Sequence, residues 1–316
     1  MKKKDPQNKQ VRPHDAFFKE SFSMLAIAKE YVLHFLPEAI VSKLDLDQMV
    51  LDNTTYITPE LEQYYADLVW TCQYGKSKVR IAFLFEHKSK PEKYPHLQLL
   101  RYLLEIWDRD VKSKKSLTPV IPIVIYHGKS KWKIREFKDY FKGIGPELWK
   151  YLPSFRYELT DLSGFSPEDI QRTKAGLLIN ALLALQYGNN VNFIRKHFSL
   201  FFHDENGSLN EDSNRNFIQL IIVYLFKNNE FSNVETKQLL ATISEPIKKK
   251  VMNTYERILA ESEAKGKTEG FKLKEYEVVK KAYNKNYPAG EIAELLDISI
   301  EKVKSIIDAI KKEGEN

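Results

Sequence analysis

Residues Tyr64 to Trp107, YYADLVWTCQYGKSKVRIAFLFEHKSKPEKYPHLQLLRYLLEIW, read as strand, tight turn, strand and helix. Tyr65 to Tyr74 is rich in aromatic and β-branched residues, Gly75-Lys76-Ser77-Lys78 is a polar turn, and Val79 to Phe85 is almost continuously apolar. A turn centred on those four residues sets Asp67 opposite Glu86. Directly opposed residues of an antiparallel pair hold their Cβ atoms about 4.5–5.5 Å apart. Like charges at that separation destabilise the pair, and burial makes it worse unless something neutralises them. A divalent cation would do so, because Mg²⁺ takes hard oxygen ligands from one or two carboxylates, waters and substrate phosphates.

Lys88 lies two residues beyond Glu86, so strand alternation puts both side chains on one face. An ammonium beside the ion can hold a water or a scissile phosphate, as hydrolysis of a phosphodiester requires. The helix expected over about Pro95 to Asp110 brings Gln98 and Tyr102 onto one face at i, i+4 spacing. Glu-x-Lys itself is common here: Glu136/Lys138, Glu235/Lys237 and Glu263/Lys265 repeat it. Only Glu86/Lys88 ends an apolar strand whose hairpin partner carries an acid. A solvated strand end with a surface salt bridge explains the bare pattern equally well.

Taken together, Asp67, Glu86-His87-Lys88 and the helical pair Gln98 and Tyr102 resemble the PD-(D/E)xK nuclease superfamily. Three further stretches narrow this: HDAFFK at 14–19, FEHKS at 85–89 and VIPIVIYHG at 120–128. In this order they resemble the Rpn family of recombination-promoting nucleases, also described as YhgA-like, transposase-related proteins, over roughly Arg12 to Phe165. The resemblance implies an αβββαβ core with a mixed sheet flanked by helices. It also implies DNA endonuclease activity dependent on Mg²⁺ or another divalent cation, and a part in recombination or mobile-element biology. Carried over, Asp67 and Glu86 are the metal ligands, Lys88 positions the nucleophilic water, and Gln98 is an accessory site residue. A transposase with three catalytic carboxylates would have no use for Lys88.

Around this stretch the chain divides into four regions. Residues 1–12 form a basic arm with a net charge of +4, read as a disordered tail or a phosphate contact. The nuclease-like core is expected over 13–165 and a helical appendage over 166–246. A charged helical linker and helix-turn-helix-like tail occupy 247–316, so the fold class is α+β with an all-helical C-terminal extension. The net charge of +6 is shared between the arm and the last seventy residues, which leaves the middle near neutral. Any DNA surface on the core must therefore be a local patch.

Within the core, a helical period runs from Pro13 to an interruption at Pro37, with His14-Asp15 as its cap. An acid there, Asp15 or Glu20, is also a candidate to reach the site. Met49 to Tyr56 reads as the first strand. Pro119 to His127 reads as a buried strand, with Pro119 and Pro122 arguing for a neighbouring edge or bulge. His127 is expected as a hydrogen-bonded strand-end histidine, with a site role as the alternative. Lys129 to Phe155 is aromatic and basic, and caps the core or stacks on bases. Tyr157 to Leu162 is a short last strand.

The appendage suggests no chemistry and is expected to pack on the core or to make a subunit contact, which leaves a homo-oligomer open. In the linker, Gly266 and Gly270 are expected breaks. The tail, PAGEIAELLDISIEKVKSIIDAIKK from Pro288, reads as two helices about Asp297-Ile298-Ser299, with Ile292, Leu295, Leu296, Ile298, Val303, Ile306 and Ile307 as its core. It either reads DNA, its second helix in the major groove, or is a simple hairpin. A DNA-binding protein without catalysis is the competing function. The single cysteine, Cys72, excludes an internal disulfide, and no apolar run is long enough to span a membrane. DNA is thus the expected partner, with no membrane, in the cytoplasm.

Overall fold

The structure, a computed structural model, describes residues 13–52, 68–75, 79–173, 175–204, 209 and 214–314. The side chains of 79–86, 215, 258–259, 261–273 and 312–314 also fall outside that description. Strand β2 (Leu68–Tyr74) turns at Gly75 and pairs antiparallel with β3 (Val79–Lys88), from Leu68 against Phe85 to Tyr74 against Val79. Gly75 takes a positive φ of 64°, which favours glycine in the turn. That register is the one expected from the turn residues. Asp67, one residue before the first described pair, lies outside the described residues.

Strand β1 (Leu44–Asp52) adds on the other side of β2, with its register shifted between Asp45 and Val50. It starts earlier than Met49: half-buried Leu44 and Leu46 alternate with exposed Asp45 and Asp47, charges that an edge strand tolerates. Helix α4 (Pro95–Lys112) then carries the chain to β4 (Val120–Tyr126), which lies parallel to β3. A last strand, β5 (Glu158–Asp161), runs parallel to β4, so the sheet order is β1-β2-β3-β4-β5. The result is a mixed five-stranded sheet in an α+β protein.

Pro122 pairs with Leu84 of β3, while the β5 ladder begins only at Ile123. Its missing donor thus falls where β4 has a neighbour on one side alone.

Helix α4 covers one sheet face. Its Leu99, Tyr102 and Ile106 pack with Val69, Val124, Tyr126, Trp132 and Tyr157. Pro95 starts the helix at a position where a missing N–H is harmless. Its exit is pinned by Trp107 Nε1 to the Thr118 carbonyl at 2.8 Å and by the Thr118 N–H to Asp110 Oδ2 at 2.8 Å.

The opposite face is covered by α1 (Pro13–Phe22) and α2 (Leu25–Phe35), where Trp70 Nε1 donates to the Phe22 carbonyl at 3.0 Å. The single helix expected from Pro13 to Pro37 is two. Ser23 Oγ donates to the Lys19 carbonyl at 2.6 Å, and Met24, with φ −79° and ψ 123°, leaves helical geometry. A serine bonding back to i−4 competes with the helix ladder, a signal the apolar period does not carry.

Helix α3 (Glu38–Val41) is a single turn before β1. After β4 the chain passes the one-turn α5 (Pro146–Trp149) before reaching β5, and beyond it come α6 (Pro167–Gln171), α7 (Gly176–Tyr187), α8 (Val191–His197), α9 (Arg215–Asn228) and α10 (Asn233–Leu240). Helix α7 is apolar around its circumference and buried from Leu177 to Leu185, as a helix enclosed on all sides should be. It packs on the core: Glu30 of α2 accepts the Leu178 N–H at 2.8 Å, and Tyr224 of α9 stacks on Phe17 at 4.3 Å. Asn180, fully buried, satisfies both its amide groups on the backbone of His203.

The chain divides into two compact units, residues 1–254 and 255–316. Helix α11 (Glu245–Asn284) is unbroken through Gly266 and Gly270, contrary to the expected breaks. Each helical glycine costs only about 1 kcal/mol, too little to interrupt a run rich in Ala, Glu and Lys.

The second unit closes a small core of Val279, Ile292, Ala293, Val303, Ile307 and Ile310 between the end of α11, α12 (Ala289–Leu296) and α13 (Ile300–Gly314). Asp297 makes the turn with φ 54°. Leu295, expected in this core, is 75% exposed, and Val279 and Ile310 take part instead. Among the described residues no helix is long and apolar enough to cross a membrane.

Candidate active site

The end of β3 presents Glu86, His87 and Lys88 in succession, held by a ladder that pairs Glu86 with Val124 and Lys88 with Tyr126. The His127 N–H extends that ladder to the Lys88 carbonyl at 3.0 Å. The side chain of Glu86 lies outside the described residues, as does Asp67.

Lys88 Nζ donates to Gln98 Oε1 at 2.8 Å, and Gln98 Nε2 donates to the Tyr102 hydroxyl at 3.3 Å. Chemistry fixes the Gln98 amide orientation, since a flip would set its NH₂ against the ammonium. Tyr102 is almost fully buried in the α4 layer, so the relay begins in rigid core and ends at a half-buried ammonium. Of the four sequence-predicted residues, the structure brings Lys88 and Gln98 into direct contact. Among the described residues, no cluster of three or more His, Cys, Asp or Glu is placed to hold a metal ion. Asp67 and Glu86 bring hard oxygen donors, a set that fits Mg²⁺.

His87 points to the other face. Its Nε2 meets Asp15 Oδ1 at 3.1 Å, and its ring stacks on Phe18 at 4.7 Å and on His127 at 5.6 Å. Asp15 is therefore no helix cap: it sits in the first turn of α1 and pairs with the strand beneath it. Glu20 is exposed on the same helix.

His14 joins the group, 4.9 Å from the His127 ring. The Asn189 amide donates to His14 Nε2, which leaves Nδ1–H to bond the Tyr224 hydroxyl. Burial, then His87, lowers the His14 pKa, in keeping with that neutral tautomer, while Asp15 opposes. Burial also pushes His127 down to about 3, with His87 and His14 adding to the shift, and among the described residues its Nε2 has no hydrogen-bond partner. The strand-end position expected for His127 is correct, but among the described residues nothing bonds that nitrogen.

This second constellation was not foreseen. Its histidines lie in the stretches 14–19, 85–89 and 120–128 already singled out, and that shared membership was the available signal. Gly128 completes the third: a Cβ there would clash with the hydroxyl end of the Tyr126 ring, and that hydroxyl donates to the Ser130 carbonyl at 2.6 Å.

Comparison with known proteins covers the range that holds these stretches. The model of the family described as "Putative transposase, YhgA-like" matches residues 12–212. The chain is 26% identical over 178 residues to the inactive recombination-promoting nuclease-like protein RpnE of Escherichia coli K12, covering 54% of this chain and 57% of that protein. It is 25% identical over 175 residues to the recombination-promoting nuclease RpnD of E. coli O157:H7, covering 52% and 65%. To the recombination-promoting nuclease RpnA of E. coli K12 it is 27% identical over 117 residues, covering 37% and 40%. The chain thus spans about two-fifths to two-thirds of the length of these relatives. No solved structure matches it.

Proposed function

This chain belongs to the YhgA-like, Rpn family, and from its site we infer that it is a metal-dependent DNA endonuclease built on a PD-(D/E)xK core. The observation that carries the reading is the Lys88–Gln98–Tyr102 relay at the end of β3. A lysine held this way by a helix anchored in the core is preorganised, which a surface salt bridge is not. Two relatives named recombination-promoting nucleases support the reaction class.

In this reading Asp67 and Glu86 hold Mg²⁺, which supplies an activated water and polarises the scissile phosphate. Lys88 donates to the attacking water or to the phosphate oxygen on which charge develops. Gln98 holds the ammonium in place, and Tyr102 holds Gln98. DNA is the substrate and the cytoplasm the setting.

Cleavage of supercoiled plasmid with Mg²⁺, wild type beside Asp67→Ala, tests this directly. Wild type nicks or linearises the plasmid and the variant does not. Equal cleavage by both proteins removes the site assignment. A second reading, DNA binding without catalysis, is favoured by the helix–turn–helix path of α12, Asp297 and α13. Binding without cleavage under any divalent cation would select it.

A further inference from the structure

The connection from β4 to β5 is long and nearly devoid of regular structure, and such loops in compact domains are usually functional or disordered. This one is pinned. The Trp132 N–H donates to Asp161 Oδ2 at 2.9 Å, Phe137 and Trp132 are buried, and Glu136 and Asp139 close a reciprocal capping box. Capping of the core is thus real for these aromatics.

What the connection turns outward is positive. Between Lys129 and Arg156 stand eight lysines and arginines and three acids, an excess of five charges in a chain whose total is only +6. Lys131, Lys133 and Arg135 are all exposed. Among the described residues none of the three forms an ion pair, whereas nearby Lys138 is neutralised by Glu136 at 2.6 Å.

These three side chains and Lys93 line a cavity of about 340 Å³, with Glu92 as its one acid. Lys93 belongs to the chain that leaves Lys88 and enters α4, midway between Lys88 and Gln98. The far rim of the cavity is the β4–β5 connection. Four cations facing one another across a concave surface repel each other and cost stability unless an anion occupies it.

We propose that the cavity between Lys93 and the Lys131–Arg135 run binds the phosphate backbone of duplex DNA beside the cutting site. It rests on the nuclease reading for the identity of the polymer, since the cations alone specify phosphodiesters. These contacts carry no base information; they fix the register of the duplex so that one phosphodiester reaches Lys88. The rings of Trp132 and Tyr157 form the wall behind the cations, so the positions are fixed by packed core and not by a mobile loop.

The test is duplex binding by fluorescence anisotropy across a salt series, with divalent metal chelated so that no cleavage occurs. Full-length wild type, Lys131→Glu/Lys133→Glu/Arg135→Glu and Lys93→Glu are compared, with melting curves to confirm folding. Each lost phosphate contact should reduce the slope of log K against log salt by about 0.9. The triple variant should therefore lose about 2.7 from the slope, and Lys93→Glu about 0.9. Both should weaken random and mixed sequences alike. A folded triple variant with wild-type affinity and slope would overturn the proposal even if wild type cuts plasmid. A reduced slope would sustain the binding surface even if no cleavage is found, so the two readings fail separately.

Discussion

His87 and Lys88 are neighbours in sequence and opposites in surroundings. Lys88 faces α4, half-buried, with its ammonium held by a glutamine that a buried tyrosine orients. His87 faces α1, sealed between Phe18 and His127, with its nitrogen on Asp15. One contiguous motif therefore serves two faces of a sheet. The Lys88 face is partly open to solvent; the His87 face joins α1 to β3 and, through His14, to α9. Membership in a motif does not by itself make a residue catalytic.

The largest expected effect lies on the sealed face. Phe18→Ala should cost about 3–5 kcal/mol, because Phe18 is fully buried and stacks on both Phe22 and His87. Chemical denaturation measures it. A loss below about 1 kcal/mol would mean that α1 is not tightly packed on the strand.

The open face should behave in the reverse way. Lys88→Ala is expected to lower kcat on the order of 10²–10³-fold, the typical loss when one donor to developing charge is removed. Its melting temperature should stay near wild type. Unchanged turnover with a lower melting temperature would invert the comparison.

The His87–Asp15 pair should show coupling. His87→Leu leaves a largely buried carboxylate without its partner, worth about 1–3 kcal/mol. His87→Leu/Asp15→Leu should recover part of that loss, and a double-mutant cycle reads the coupling. Additive losses would show that the 3.1 Å contact carries no net energy.

Acid should act on the sealed face first. The folded pKa of His127 lies at about 3, below its ordinary 6.5. Its contribution is therefore complete above pH 6.5 and is lost as pH falls toward 3. Glu30 opposes it. Burial raises that carboxyl to about 7, so it favours folding when protonated and withdraws support as pH rises from 4.5 to 7. The two slopes offset each other between pH 4.5 and 6.5. Glu30→Gln should steepen the acid loss in that window and raise stability above pH 7. A melting profile unchanged by the substitution would remove Glu30 from the balance.

Local chemistry made much of this legible. The hairpin register followed from a four-residue polar turn between apolar runs, and every described pair obeys it. The helix period set Gln98 beside Tyr102, which the structure shows bonded; that Gln98 also meets Lys88 depends on the packing of α4 against the end of β3. The histidine group was not legible, because His14, His87 and His127 lie on three elements that only tertiary packing brings together. Leu295 is exposed because the end of α11, through Val279, decides which face of α12 is buried, and that partner lies outside the two-helix pattern. Helix α11 runs on through Gly266 and Gly270 because each glycine is a penalty of about 1 kcal/mol and not a break.

Calorimetric titration with Mg²⁺ tests the central division of labour most directly, comparing wild type, Glu86→Ala and Lys88→Ala. Glu86 is proposed to bind the ion and Lys88 to act on water or phosphate. Wild type and Lys88→Ala should therefore bind Mg²⁺ alike, and Glu86→Ala should not bind it. Wild-type Mg²⁺ affinity in Glu86→Ala would contradict the account.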